Sequence, residues 1–422
     1  MIFQGSHENM KKFAVVSQNL PPAQSGQSVV LYHLLRTIPP ENYCLITQKN
    51  YYLYNHLQHC LPRLKARYYH LSPDYQIIRQ TMKTLSGFSI RPLLVLLLKN
   101  RVRQIKKILI KEKADVVVTC TADLFDPPAA ILAGKELGIP VILYTFDFYA
   151  HQWTDPLTRS FAHEYEDLIH KEAARIIVPN EGIAQEYFRR YGIRPVVIHN
   201  PFDLAEYEQD AARSHTGEEE SGMHRGGIRI VYTGAIYDAH YSAFRNLLAA
   251  IPKTGIPDLK LHIYTPQSPK QIQSFGITGP VEIHNPRPNS EMPAIQRDAD
   301  ILFLPLAFNS PYPDIIRTSA PGKTGEYLAA KKPVLVHAPS DSFISWFFEK
   351  HHCGDVVGED DPEKLARSIC RLVTDEKYRQ ELVGNAYRVA RDQFDAAPQR
   401  RKFIALINGD PVPEDAAESS GS

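Results

Sequence analysis

The chemistry-bearing residues of this chain concentrate in one stretch, Thr318-Ser319-Ala320-Pro321-Gly322-Lys323-Thr324-Gly325-Glu326-Tyr327-Leu328-Ala329-Ala330-Lys331-Lys332-Pro333-Val334-Leu335. It reads as loop, helix and buried strand, with Ser319 or Ala320 where a helix N-cap belongs and Pro321 at the first helical position. Two features work against such a helix. Gly322 and Gly325 each cost roughly 1 kcal/mol relative to alanine, and Lys323 sets a positive charge in the first turn, against the helix dipole. Both make sense if an anion rests on the helix N-terminus. Backbone N–H groups would bind it, the glycines would let it approach and Lys323 would neutralise it. Glu326, one turn on, can accept hydrogen bonds from hydroxyls. Phosphate together with hydroxyls points to a sugar nucleotide. A solvated surface helix with an ordinary Glu–Lys pair fits the same residues, so the stretch alone leaves both readings open.

The elements that would position such a site repeat along the chain. Phe13-Ala14-Val15-Val16 is an apolar strand, followed by the loop Pro21–Ser28 and a helix from Val29, so the chain opens as a βα unit with Gly26 in its loop. Gly26 would let a donor sugar or phosphate approach the backbone, or serve only as a tight turn. Pro92 to Lys113 reads as a long helix. Leu98, Val102, Ile105 and Leu109 form its apolar face, and Lys99, Arg101, Arg103, Lys106, Lys107, Lys111 and Lys113 surround it. Such a basic amphipathic helix fits an anionic membrane surface or, more plainly, packing on a sheet with solvated lysines. Strands follow at Ala114–Thr119, Val141–Thr145, Arg175–Pro179 and Pro195–Ile198. Sites in parallel sheets gather at C-terminal strand ends, where Asp123, Asp126, Asp147 and His151 fall.

Residues 205–227 change to acidic and small polar composition and read as a linker. A second strand–loop–helix series starts at Ile228, with Gly234 after its first strand and the loop Pro286-Arg287-Pro288 after its third. Asp300–Pro305 is a strand. The segment from Leu306 to Ser319 reads as a long structureless loop, of the kind that is commonly functional. The repeated apolar strands, each followed by a helix, require parallel sheets covered on both faces.

At 422 residues the chain has room for two or three domains. A formal net charge of +1 gives no argument for a nucleic-acid partner. Five cysteines without a C-x-x-C pair fit a reducing compartment and argue against a structural zinc site or a disulfide framework. The longest apolar run, Leu93 to Leu98, is too short to span a bilayer. No signal peptide is visible, so the expected location is cytoplasmic, with peripheral contact at the inner membrane face through the basic helix near Lys99. Met1 to Glu8 reads as a leader ahead of a natural start at Met10, and Ala416–Ser422 as a disordered tail.

Four motifs in order resemble the GT-B glycosyltransferases of family four, the group 1 glycosyltransferases. They are the Pro22–Gly26 loop; His199-Asn200-Pro201-Phe202-Asp203, similar to that family's Asn-Gly-Val-Asp hinge; Ala299–Pro305; and Glu326–Leu335, similar to its Glu-Ala-x-Ala-x-Gly-x-Pro-Val block. The resemblance covers about Lys11 to Ile407. It implies an α/β fold of two doubly wound Rossmann-like domains facing across a cleft. Residues 11–204 would form the acceptor-side domain and 228–395 the nucleotide-sugar domain, with a helix at 396–410 crossing back. By the same resemblance Glu326 binds ribose hydroxyls, the turn Ser319–Lys323 with Gly322 holds the diphosphate, and Pro286 and Arg287 flank the base. Gly26, Gly234 and Thr318 complete the donor set. Three positions depart from the family pattern. Thr318 stands where a second glutamate is usual, Ala235–His240 replaces an Arg…Lys pair, and Phe146 replaces a histidine, although Asp147 remains.

The implied activity is hexosyl transfer, with retention, from a nucleotide-diphosphate sugar (UDP or GDP as the carrier) to a glycan, lipid-linked or small acceptor, as in polysaccharide biosynthesis. Lys323 would stabilise the leaving diphosphate and Asp147 would position or deprotonate the acceptor. No Asp-x-Asp follows a suitable strand, so this reading needs no metal and no cofactor beyond the co-substrate. Asp123, Asp126 and His151 would line the acceptor side. A sugar-nucleotide 2-epimerase using those three residues and a non-catalytic partner subunit on the same fold are the alternatives.

Overall fold

A computed structural model describes residues 10–23, 25–49, 61–73, 91–153, 155–214 and 227–413. The leader, the tail and most of the expected linker lie outside them. The chain folds as two compact units. One runs up to His199 and takes the chain back from Gln399; the other spans Asn200 to Pro398. Among the described residues no helix is long and apolar enough to cross a membrane.

The first unit is built on strands β1 (Phe13–Val16), β2 (Tyr43–Thr47), β3 (Arg67–His70), β4 (Val116–Cys120), β5 (Val141–Tyr144), β6 (Arg175–Val178) and β7 (Val196–Val197). They pair in the order β3-β2-β1-β4-β5-β6-β7, each pair parallel. β1, β2, β4 and β5 are buried along their whole length, as strands covered on both faces must be. The helix Arg91–Glu112 buries Leu94, Leu98, Val102, Ile105 and Leu109. One of its cations departs from the expected solvated set. Arg101 is 3% exposed and ion-pairs with Asp126.

The second unit repeats the plan with β8 (Arg229–Thr233), β9 (Lys260–Tyr264), β10 (Val281–His284), β11 (Ile301–Pro305), β12 (Val334–His337) and β13 (Asp355–Val357). The order is β10-β9-β8-β11-β12-β13, again parallel throughout. The order reverses between β8 and β11, so the loops after these strands flank the switch point where such sheets bind ligands. Those loops are tied together: the Ala307 N–H donates to the Ala239 carbonyl at 2.7 Å, and the Phe308 N–H to Ser242 Oγ at 2.7 Å.

Three segments differ from expectation. The stretch from residue 205 opens inside a helix, Leu204–Ser214, that belongs to the second unit. The segment from Leu306 to Ser319, expected to be structureless, contains the helix Pro313–Thr318, with proline in its first turn. The organising helix begins only at Thr324, because Pro321–Lys323 forms a turn closed by the Thr324 N–H and hydroxyl, which donate to the Pro321 carbonyl at 2.9 and 2.7 Å. Gly322 therefore lies outside the helix, and Lys323 caps it rather than occupying its first turn.

Gly325 is helical, and its reason is packing. A Cβ there would meet Phe202 Cδ1 at 2.8 Å and Phe394 Cβ at 2.9 Å. Phe202 and Phe394 are themselves joined: the Phe202 N–H donates to the Phe394 carbonyl at 3.1 Å, and the Ala396 N–H returns a bond to the Phe202 carbonyl at 2.9 Å. An exposed helical glycine gains about 1 kcal/mol on becoming alanine. Here the sign reverses, because overpacking a filled core costs about 1–3 kcal/mol. Gly325→Ala is expected to lower the urea midpoint of unfolding; a rise would show that the two phenylalanines yield freely.

Candidate functional site

The switch point of the second unit gathers a cation, a carboxylate and a glycine. Gly234 follows β8 with φ +122°, and its N–H donates to the Tyr264 carbonyl at 2.8 Å. A Cβ at Gly234 would sit 3.0 Å from Lys323 Nζ, so glycine satisfies both the backbone geometry and the room the ammonium takes. Lys323 Nζ lies 3.7 Å from the centroid of the Tyr232 ring, over its face, an attractive placement for a cation. Among the described residues no carboxylate approaches Nζ within ion-pairing distance. Burial pushes the Lys323 ammonium down to about 7, and the Glu326 carboxylate only partly opposes the shift. His240, behind the same loop, is 4% exposed and pushed down to about 3 by burial and by the Lys323 charge. It is neutral at physiological pH.

Glu326 projects from the first turn of the helix Thr324–Ala329. Gln296 Nε2 donates to its Oε2 at 3.1 Å. Gln296 is fully buried and accepts from the Tyr207 hydroxyl at 2.9 Å, which fixes the orientation of its amide. The next residue, Tyr327, receives the Thr233 N–H on its hydroxyl at 2.9 Å. The helix is thereby tethered to the end of β8. Burial raises the Glu326 pKa, against the Gln296 bond and Lys323. Asn200 adds a further brace: its Nδ2 donates to the Ala320 carbonyl at 3.5 Å, in the turn that carries Lys323.

The remaining donor-set residues are dispersed around this centre. Thr318 is buried, and its hydroxyl donates to the Asp314 carbonyl at 2.9 Å, one turn back in its own helix. Ser319 is half-buried at the end of that helix. Gly322 is exposed, with open space where a Cβ would stand. Pro286 and Arg287 line a pocket with Ile283, His284 and Asn285 beyond the end of β10.

Gly26, Asp123, Asp126, Asp147 and His151 belong to the first unit. Gly26 opens the helix Gly26–Leu35, capped by Ser25, with nothing near its Cα that a side chain would strike. Asp123 and Asp126 do not form the expected acceptor wall. Asp123 Oδ1 accepts from the N–H groups of Phe125 and Asp126 at 2.7 and 2.8 Å, capping the following helix. Asp126 is fully buried against Arg101. Both carboxylates hold the fold together, and their burial was not visible from position alone. Asp147 is exposed just beyond β5. His151 is also exposed, its Nε2 2.9 Å from Arg190 Nη1.

Sequence reasoning missed Gln296, Tyr207 and Tyr232. No motif marks them, since each acts only through a partner 30 to 91 positions away.

Two family models match in succession: Glycosyltransferase Family 4 over residues 66–206 and Glycosyl transferases group 1 over residues 227–375. Together they take in most of both units. This chain belongs to the family 4, group 1 glycosyltransferases. Solved glycosyltransferase-type structures agree in fold. A glycosyltransferase from Rickettsia africae matches with a TM-score of 0.66 at 13% identity, over 95% of this chain and 98% of that one. A sucrose-phosphate synthase from Thermosynechococcus elongatus gives 0.64 at 14%, over 94% and 98%. HepE from Anabaena, solved with UDP and glucose, gives 0.63 at 13%, over 94% and 100%. No curated protein matches in sequence. Both units of this glycosyltransferase are thus the parallel-sheet Rossmann-like domains of the GT-B plan.

The Gln296 bond leaves a test. Gln296→Leu removes the hydrogen-bond donor to Glu326 Oε2 and strands the Tyr207 hydroxyl. It is expected to cost about 1–3 kcal/mol at pH 7. The loss should shrink as pH falls, because a carboxylate with a raised pKa is penalised only while ionised. Urea unfolding at two pH values reads this; an equal loss at both would detach Glu326 from the effect.

Proposed function

We propose that this glycosyltransferase moves a hexosyl group from a nucleotide-diphosphate sugar to a hydroxyl-bearing acceptor, with retention of anomeric configuration. The observation that carries the reading is the ammonium of Lys323 at the switch point, half-buried over the Tyr232 ring and, among the described residues, with no carboxylate within ion-pairing distance. An unpaired charge in such a place is costly unless a ligand completes it. A diphosphate on the turn Ser319–Lys323 supplies that charge, with Gly234 and Gly322 leaving room beside it. Glu326, oriented by Gln296, accepts from the ribose hydroxyls, and Pro286 and Arg287 flank the base. Uridine is favoured over guanosine as that base because HepE, of similar fold, was solved with UDP.

As the bond between the anomeric carbon and the phosphate oxygen breaks, negative charge grows on the departing diphosphate, and Lys323 stabilises it most at that moment. The acceptor oxygen forms the new bond, and its proton passes to the leaving phosphate oxygen. Asp147 orients the acceptor hydroxyl. A glycan or lipid-linked acceptor fits a cytoplasmic enzyme whose helix Arg91–Glu112 exposes Leu96 and Ile110 among Lys99, Arg103 and Lys107. The epimerase alternative needed Asp123 and Asp126 as acid–base groups, and both are engaged in capping and ion pairing.

The proposal carries a pH signature. Only the protonated lysine attracts a diphosphate, and its pKa before binding lies at about 7. Above that pH, binding must draw a proton from solution, so affinity falls by up to about tenfold per pH unit. UDP-glucose suits the measurement because its diphosphate diester does not titrate near neutrality. Calorimetry from pH 6 to about 9 should show the decline. Lys323→Arg should flatten it, since arginine keeps its charge, and Lys323→Ala should weaken binding by about 10–100-fold at pH 6. Affinity unchanged in Lys323→Ala would remove the lysine from the site.

A further inference from the structure

Strands β9 and β10 form one edge of the second unit's sheet. Their register sets Glu282 opposite His262 and His284 opposite Tyr264. Alternation sends Leu261, Ile263, Val281 and Ile283 into the apolar core and puts His262, Tyr264, Glu282 and His284 together on the other face. Three donor atoms converge there. His262 Nδ1 lies 3.1 Å from His284 Nε2 and 3.6 Å from Glu282 Oε2, and all three atoms fall within 4.8 Å of one another. The chemistry assigned to Lys323 and Glu326 uses none of them, and His284 alone also lines the pocket beside Pro286 and Arg287.

These separations suit a small cation. Two donors bound at about 2.0–2.1 Å and arranged tetrahedrally around zinc stand roughly 3.3 Å apart. The surroundings orient two of the groups as an outer shell of ligand partners would. Lys260 Nζ holds Glu282 Oε1 at 2.8 Å, leaving Oε2 toward His262. Tyr264 stacks on the His284 ring at 4.4 Å between centroids and 15° between planes. Three cations face the cluster and each is drawn to a carboxylate: Arg229 pairs with Asp298, Lys260 with Glu282 at 2.8 Å, and Arg287 lies 3.9 Å from Glu291.

We propose that His262, Glu282 and His284 form a three-ligand site for a divalent transition-metal ion of the zinc class. Water fills the fourth position, and the ion clamps edge strand β10 onto β9. Two imidazoles and one carboxylate with an open position suit zinc, cobalt or nickel, and not calcium or magnesium, which take oxygen donors.

The test uses the full chain, stripped of metal by a chelator and titrated with Co2+ and separately with Zn2+. Expected are the visible absorption bands of four-coordinate cobalt, calorimetric binding of Zn2+, and a melting temperature that rises with Zn2+ and does not rise with Mg2+. His262→Ala and His284→Ala should each weaken binding at least tenfold, since even outer partners of metal ligands are worth about that much. Glu282→Gln keeps the size and the backbone pairing, guards against simple misfolding, and should weaken binding as well. No bound ion, or binding unchanged in all three variants, would overturn the site and leave the two histidines as a pair sharing one proton.

Discussion

A lysine ammonium held against an aromatic face, with no carboxylate within ion-pairing distance among the described residues, is the constraint that the second unit is arranged around. Removing a cation from water is expensive, and a ring face repays only part of the cost. Lys323 is nevertheless kept in place by everything near it. Gly234 makes room at Nζ, the Pro321–Lys323 turn fixes the backbone, and Asn200 braces the turn through Ala320. The lowered pKa of the ammonium is the physical trace of that expense. Lys323 is half-buried, and in the proposed function its fixed place means that little reorganisation is needed when charge develops.

The sheet delivers this arrangement. A parallel sheet whose strand order reverses leaves a gap between the loops after β8 and β11, and both loops serve the site. The first supplies Gly234 and His240, and the second leads through the helix Pro313–Thr318 to the turn of Lys323. The helix that follows is anchored at two points, by the Tyr327 hydroxyl to the end of β8 and by Gly325 against Phe202 and Phe394. Packing therefore sets the position of Glu326, and the polar chain from Tyr207 through Gln296 sets its orientation.

Much of this was legible in the residues. Apolar runs within Ala114–Thr119 and Asp300–Pro305 marked buried strands because parallel strands covered on both faces carry little polarity. The block from Glu326 to Leu335 marked the family because its spacing combines a polar helix face with a buried strand. What was not legible depended on partners distant in sequence. Gly325 looked like an opening for an anion, and two phenylalanines 123 and 69 positions away make it a packing necessity. Asp123 and Asp126 stood at a strand end, where catalytic groups gather, yet Arg101 from a preceding helix claims one and helix N–H groups claim the other. Proline at position 321 suits a turn and a helix start alike, and only the bonds from Thr324 to its carbonyl decide between them.

The most direct measurement of the central claim is hydrogen–deuterium exchange with and without UDP. If the nucleotide rests on the Lys323 turn and against Glu326, amides in peptides covering 318–330 slow their exchange when UDP is added, and those covering 284–288 slow with them. Protection elsewhere in the chain, with both segments unchanged, would contradict the account.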